Sequence, residues 1–403
     1  MKKNKYTDKL LYFSVFLLFL TSSYAWIGWN GRNVYIDAFA DISILFCLIK
    51  KKMLFNFSSR NIVSIFVLIL ADLYFIEGLH FWILTSVIIP LSAIILLDDI
   101  EREKCFRFIF KAFAVIMFFS MITYFLVKFF DIPSVGTVIL FDDDTVAEGY
   151  KVRQNFIFCV DDMGINRFCG PFVEPGHLGT LCALMLLADG LDLTKSGTWI
   201  ILLSLVLSLS LAGYVLGFFA YLFARYLHSK LNFQTIFAFS LIILLVTFMA
   251  KIYNGGDNVL NEKILSRLAS NEEEGIIGTH ATGDFNYYFG LLFSIWNLLL
   301  FGYGEELVDW IQRTSYSTGT GFVFFIVKYG LVGFIISIAF YFTYAWKSSN
   351  RRIAKIFLLF MLLCIYQRSY AFSAAWIICF VYGMTLAERK ALLKHDINCV
   401  FDK

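Results

Sequence analysis

An arginine, a glutamate and a histidine lie close together where a polar segment leads into an apolar run. They are Arg167, Glu174 and His177, with Pro175 and Gly176 between the last two. Ionisable side chains are energetically costly to bury in a membrane, so they mark functional sites by default. Proline breaks the helix, and irregular backbone at membrane depth is tolerated only where it packs in protein or lines a wet cavity. An arginine can hold an anion bidentately, and a partly desolvated carboxylate is a better base. The cluster predicts an anion-binding, proton-accepting site, unless a Glu174–Arg167 pair only anchors the loop.

The elements that must position this cluster are membrane-spanning helices. Of the 403 residues, 59% are hydrophobic and 16% are charged, and the mean hydropathy is +0.72, whereas soluble chains carry about 25% charged residues. Apolar runs of nearly twenty residues recur, each long enough to cross a hydrocarbon core about 30 Å thick. The pattern predicts an all-α polytopic membrane protein with a single integral membrane domain over 1–403. It argues against a soluble enzyme, and the dispersed net charge of +3 argues against a nucleic-acid partner.

Apolar runs between charged clusters predict about 12 transmembrane helices. These spans cover 10–29, 34–49, 60–79, 81–97, 108–130, 171–188, 198–212, 213–228, 233–252, 318–346, 353–367 and 370–387. With the N-terminus inside, 23 of the 34 Lys and Arg fall in cytoplasmic segments, where positive residues are retained. We therefore expect a multi-pass protein of the cell inner (cytoplasmic) membrane, with both termini cytoplasmic and two long extracytoplasmic loops near 131–170 and 253–317.

Two stretches leave this topology open. The apolar run 198–227 is long for one span and short for two, and 287–303 could nearly span the membrane alone. The Lys and Arg residues do not distinguish these possibilities. We expect the first stretch to form a hairpin that turns near Ala212 and Gly213, and the second to lie in the interface or to be re-entrant, because of the following resemblance.

Several motifs are similar to those of one protein family. The stretch RFCGPFVEPGHLGTLCALML, which begins at Arg167, resembles the Arg-x-x-Gly-x-x-x-Glu-Pro-Gly entry of the bacterial O-antigen polymerase (Wzy) family. The stretch LVLSLSLAGYVLGFFAYLF resembles the paired short spans, with a Ser-rich turn, of the wider polymerase and ligase superfamily. RLAS, FGYG and KYGLVGF resemble the later outer loop, Gly-x-Gly and Gly-x-x-Gly helix entry of that superfamily. The resemblance extends from about Arg167 to Phe334.

The resemblance implies a GT-C-like glycosyltransferase. Such an enzyme moves a growing glycan from polyprenyl diphosphate onto the terminal sugar hydroxyl of an incoming lipid-linked repeat unit, at the outer face of the membrane. The partners implied are the polyprenyl-diphosphate-linked oligosaccharide and the lipid bilayer, together with a chain-length regulator and a flippase. We predict no cofactor.

The leaving diphosphate requires charge stabilisation, which arginines supply because they stay charged and bind phosphate oxygens in pairs. We expect this role for Arg167, Arg267 and Arg313, with Arg153 and Arg368 as further candidates. For Arg267, pairing with nearby glutamates is an equally good interpretation.

The acceptor hydroxyl requires a base within hydrogen-bond reach. Glu174 is the first candidate, and His177 and His280 are the alternatives, although a lone histidine is more often structural. The acidic run 142–144 is more simply solvated than metal-binding, so we predict no metal site.

Two other functions compete with polymerisation. O-antigen ligases resemble one another in a histidine that precedes a Gly-x-x-Gly ending, but alignment on Gly330 and Gly333 puts Gly319 and Thr320 at that position. A lipid-linked oligosaccharide flippase or other transporter would suit charges at membrane depth such as Lys328. Transporters commonly contain two related halves, and the two halves of this sequence show no similarity.

Overall fold

The computed structural model describes most of the chain, in separate ranges. These are residues 5–28, 32–51, 57–75, 88–130, 136–140, 150–155, 159–162, 167–227, 252, 270–271, 275–276, 283–315, 321–368 and 371–401. All but the last residue of the predicted span 233–252 lie outside these ranges, as do Arg267 and His280.

The described residues are predominantly helical. The helices are α1 (Lys5–Thr21), α2 (Arg32–Lys51), α3 (Ser59–Phe75), α4 (Ile89–Leu96), α5 (Asp99–Phe130), α6 (Pro175–Asp189), α7 (Ser196–Leu207), α8 (Leu211–Leu227), α9 (Gly283–Leu292), α10 (Trp296–Phe301), α11 (Glu305–Ser315), α12 (Gly321–Trp346), α13 (Arg351–Gln367) and α14 (Ala374–Phe401). A short 3-10 helix at Trp26–Gly28 follows α1. Within the described ranges, α5 and α12 are long and apolar enough to cross a membrane. The predicted helical architecture is therefore confirmed in part.

Both predicted outer loops contain short strands, which the sequence analysis did not anticipate. In 131–170, β1 (Gly136–Leu140), β2 (Tyr150–Asn155) and β3 (Cys159–Asp162) form an antiparallel sheet in the order β1-β2-β3. In 253–317, β4 (Ser270–Asn271) pairs with β5 (Gly275–Ile276). The strands are confined to these loops, and the other described elements are helices, as predicted.

The apolar run 198–227 divides into α7 and α8, as expected, but the turn lies earlier than predicted. It is formed by Ser208, Leu209 and Ser210, not by Ala212 and Gly213. The Ser208 hydroxyl accepts the Ser210 N–H at 3.3 Å, and the Ser210 hydroxyl accepts the Gly213 N–H at 3.2 Å. Serine hydroxyls that take up unpaired backbone N–H groups begin helices, so Ser210 sets the start of α8.

The segment 287–303 does not form one continuous helix. It contains the end of α9 and all of α10, separated by residues 293–295. With 10 and 6 residues, neither helix is long enough to cross a hydrocarbon core at 1.5 Å per residue.

Helix α6 lies inside the bundle and packs against α7, α8 and α14. Its face toward α8 contains Gly179, which meets Gly213 so closely that a Cβ on Gly213 would lie 2.8 Å from the Gly179 Cα. Two glycines facing each other let helix backbones approach closely, as is common in membrane helix pairs. The main hydrophobic core surrounds α6 and includes residues of α1, α5, α13 and α14.

A second, smaller core joins α9 and α11 to the first half of α12. Helix α12 is broken at Gly330, which has a positive φ of 68°. The N–H groups of Tyr303 and Gly304 donate to the carbonyls of Val327 and Lys328 at 2.8 and 3.0 Å. The break at Gly330 leaves helix carbonyls without their partners in the helix, and the FGYG motif supplies N–H groups to them.

Candidate functional site

The site begins at the N-terminus of α6. Glu174 is the N-cap residue in an extended conformation, and Pro175 occupies the first helical position. Proline suits that position because its missing N–H would have no partner within the helix. The Glu174 side chain makes no capping hydrogen bond to the helix, so its carboxylate is directed elsewhere.

Arg368 binds the Glu174 carboxylate. It lies between α13 and α14, and its Nη2 is 2.9 Å from Glu174 Oε2. The same Nη2 lies against the first turn of α6, in space that the Cβ of any residue other than glycine at position 176 would occupy. Gly176 thus allows the guanidinium to approach Glu174. On its other side, the Arg368 backbone contacts Gly321 at the start of α12.

His177 lies one helical turn beyond Glu174. Its Nε2 is 3.8 Å from Glu174 Oε2, and its side chain is 11% exposed, against 45% for Glu174. The His177 ring stands 6.0 Å from the ring of Tyr24, centroid to centroid. His177, Glu174 and Arg368 therefore form one cluster in which two potential proton acceptors lie beside a fixed cation.

A small cavity adjoins this cluster. Its volume is about 20 Å³, and it is lined by Ser22, Ser23, Tyr24, His177, Thr180, Leu181, Arg368, Ser373 and Trp376. A cavity needs roughly 10–15 Å³ to hold a water molecule, so this one has room for a single small polar group. The lining comes from the end of α1, the start of α6 and the start of α14.

Hydrogen bonds hold two of these segments together. The Ser373 hydroxyl donates to the Ser22 carbonyl, and the Ala375 N–H donates to the Ser22 hydroxyl, both at 2.9 Å. The cavity wall is thus fixed by side-chain to backbone contacts between α1 and α14. Walls fixed by hydrogen bonds in this way keep a reactive group in one orientation.

The loop that leads into α6 is anchored by aromatic packing. Phe168 and Phe172 are fully buried, against Tyr124 and Phe113 of α5. The Trp26 N–H donates to the Pro171 carbonyl at 2.8 Å. Arg167 begins this loop and is itself buried, with 8% of its surface exposed.

The structure therefore brings together three of the predicted site residues, Glu174, His177 and Arg368. Arg167 lies in the same anchored loop, but it does not line the cavity. Arg153 and Arg313 are described by backbone position only: Arg153 lies in β2 opposite Thr137 and Asp161, and Arg313 lies in α11. Among the described residues, no group of three His, Cys, Asp or Glu could hold a metal ion.

Sequence reasoning missed the serines and Tyr24 that line the cavity, and it missed the partner of Glu174. The observed ion pair joins Glu174 to Arg368, which is far away in the chain. An arginine between the last two apolar runs was a signal for the site, but nothing in the sequence indicated which acidic residue it meets. Gly176 carried no signal either, because a Pro-Gly pair also serves simply to start a helix.

Comparisons with known proteins do not identify a family. No family model matches the chain, and no curated protein or solved structure matches it significantly.

Proposed function

We propose that this protein is a polysaccharide polymerase of the O-antigen type. It transfers a growing glycan from polyprenyl diphosphate onto an incoming lipid-linked repeat unit, at the outer face of the cytoplasmic membrane. The observation that carries the proposal is the cluster of Glu174, His177 and Arg368, of which His177 and Arg368 line a small cavity. A base beside a fixed cation is the arrangement that transfer from a diphosphate requires.

The ends of the helices support the proposed twelve-span topology. The cavity is lined from the end of α1, the start of α6 and the start of α14, and the charge rule independently assigns all three to the outer side. A site on that side would be open to the lipid-linked substrate after it has crossed the membrane.

The opposite ends of several helices are joined by charged contacts. Arg60 of α3 pairs with Glu388 of α14 at 3.0 Å, and Lys195 pairs with Asp189 at the end of α6 at 2.6 Å. The buried Arg102 of α5 donates to the Tyr344 hydroxyl at 3.0 Å. The charge rule assigns all these ends to the cytoplasm, so the two sets of ends are consistent with one topology.

In the proposed reaction, Glu174 accepts the proton of the acceptor hydroxyl. The acceptor oxygen then forms a bond to the anomeric carbon, while the bond from that carbon to the diphosphate oxygen breaks and its electron pair leaves with the diphosphate. Arg368 holds the diphosphate charge. Arg167, Arg153, Arg267 and Arg313 are proposed as further diphosphate ligands.

The surface glycan of cells that lack this protein tests the proposal. If the gel ladder collapses to core plus one repeat, flipping and ligation still operate and the missing step is polymerisation. A normal ladder would contradict the proposal. Polymer that accumulates on polyprenyl diphosphate outside the membrane would indicate a ligase instead.

A flippase is the second candidate, and the broken helix α12 favours it. Transporters place substrate sites at discontinuous helices near the middle of the membrane, and Lys328 beside the break pairs with Glu305 at 2.6 Å. In that case the deletion would leave bare core and trap unpolymerised repeats inside the cell. The same gel, with analysis of the lipid-linked intermediates, separates the two functions.

A further inference from the structure

Arg368 does not use all of its hydrogen-bond donors. A guanidinium presents five N–H groups and binds carboxylates or phosphates most strongly through two parallel contacts. Arg368 Nη2 contacts Glu174 Oε2, whereas Arg368 Nε is buried without a hydrogen-bond partner. Buried polar groups normally have partners, and an exception calls for an explanation such as a ligand.

The surroundings of Arg368 admit a ligand. Its side chain is 21% exposed and lies at the cavity, and the Glu174 side chain is 45% exposed. The Glu174–Arg368 pair is therefore accessible, and an anion that approaches it contacts a guanidinium that is already paired with Glu174. Gly176 leaves space for that guanidinium at the first turn of α6.

We propose that Glu174 and the diphosphate of the donor lipid compete for Arg368, so that donor binding releases Glu174 to act as the base. This inference rests on the proposed function. A carboxylate neutralised by an arginine is a poor proton acceptor, and a nearby negative charge makes it a better one. When the diphosphate takes Arg368, Glu174 loses its cation and gains an anionic neighbour. Proton acceptance is then confined to the donor-bound enzyme.

The exchange leaves the chemical step balanced. The proton of the acceptor hydroxyl passes to the released Glu174, the acceptor oxygen bonds to the anomeric carbon, and the diphosphate departs with its electron pair while paired with Arg368. Once the diphosphate leaves, Arg368 returns to Glu174 and favours loss of the proton. The Glu174 side chain is 45% exposed, so water can take up that proton.

Binding of a polyprenyl diphosphate to the full-length protein in lipid nanodiscs tests the exchange. Glu174→Gln keeps the shape of the side chain but removes the competing charge, so we expect it to bind the probe about tenfold more tightly than the wild type, which corresponds to roughly 1.4 kcal/mol. The same variant should no longer elongate lipid-linked repeats. Arg368→Ala should bind the probe more weakly, and adding Glu174→Gln to Arg368→Ala should restore nothing.

Glu388→Gln is the matched control. Glu388 also pairs with an arginine, Arg60, at 3.0 Å, but it lies at the opposite end of the bundle, so its substitution should leave probe binding unchanged. Equal or weaker binding by Glu174→Gln would overturn the exchange, and it would do so even if Arg368→Ala failed to fold. If the exchange is overturned in this way, elongation by the wild type would still support the proposed function. A wild type that neither binds the probe nor elongates repeats would overturn both.

Discussion

Gly176 links helix packing to the chemistry proposed for the site. It stands in the first turn of α6 between Glu174 and His177, and the Arg368 guanidinium occupies the space beside it. The contact involves the far end of a flexible side chain, so a larger residue at this position would move the guanidinium without disturbing the helix backbone. Glycine is therefore required here for the position of a charge.

We predict that Gly176→Ala abolishes the Glu174–Arg368 pair but leaves the protein folded. The added methyl group displaces the guanidinium, and displacements of about 1 Å in a catalytic group can lower rates about 10²-fold. Elongation of lipid-linked repeats by purified protein measures the effect, and the amount of protein in the membrane should stay at the wild-type level. Gly290→Ala is the control, because Gly290 lies in α9 with open space around its Cβ position. Equal activity of the two variants would contradict the role of Gly176.

Among the described helices, α6 and α8 approach at backbone distance. A Cβ on Gly179 would lie 3.0 Å from the Gly213 Cα, so neither helix can carry a side chain at the crossing. This contact sets the position of α6, and with it the positions of Glu174 and His177 beside Arg368. Stability and site geometry thus depend on the same pair of residues.

We predict that Gly213→Ala destabilises the protein by about 1–3 kcal/mol, the usual effect of adding volume to a packed interior. Thermal unfolding in detergent measures the change as a lower Tm. Gly217→Ala, on the same helix, is the matched control, because its Cβ would meet only the terminal methyl groups of Leu205, which can rotate away. If both variants unfold at the same temperature, close packing at the crossing is not important for stability.

The ion pair beside the break in α12 is asymmetric. The Lys328 side chain is 10% exposed, whereas Glu305 is 46% exposed. Removal of one partner from a buried pair leaves an uncompensated charge. This destabilises the protein by more than the intact pair stabilises it.

We therefore expect Glu305→Ala to lower the Tm more than Lys328→Met does. The first variant leaves a buried ammonium ion without its carboxylate, at a cost of about 1–3 kcal/mol. The second leaves a carboxylate that water can reach. Unfolding of both variants in the same detergent checks the order, and the reverse order would show that Lys328 does not depend on Glu305.

The whole molecule has two ends of different character. One end holds the cavity, and the other joins helix ends through charged contacts that include the pairs of Arg60 and Lys195. Lys and Arg are retained on the cytoplasmic side of membrane proteins, so the topology that we propose puts the second end in the cytoplasm.

Cysteine labelling tests this assignment. We predict that Ser270→Cys, in β4, reacts with a membrane-impermeant maleimide in intact cells, and that Ser349→Cys, in the exposed turn between α12 and α13, reacts only after permeabilisation. The native cysteines at positions 47, 105, 159, 169, 182, 364 and 379 are buried, and wild-type protein measures the background labelling of all native cysteines. Labelling of Ser349→Cys in intact cells would invert the topology and place the cavity inside.

The helices were largely predictable from sequence because apolar runs, charged boundaries and proline act locally. The predicted spans 34–49, 108–130, 318–346 and 353–367 all fall within or largely coincide with observed helices. The position of the turn at Ser208–Ser210 was not predictable, since it depends on which serine hydroxyl caps the next helix. Arg167 and Glu174 were predicted as site residues for the same local reason, because they are charged residues at the start of an apolar run.

The site itself was decided by tertiary packing. Which cation meets Glu174 depends on how α6 lies against the junction of α13 and α14, and that is set by glycine contacts and buried aromatic residues distant in sequence. The break in α12 has the same origin, because its carbonyls are satisfied by N–H groups of the FGYG segment. Periodicity and composition report the environment of one helix, whereas partnership between distant residues depends on the shape of the assembled bundle.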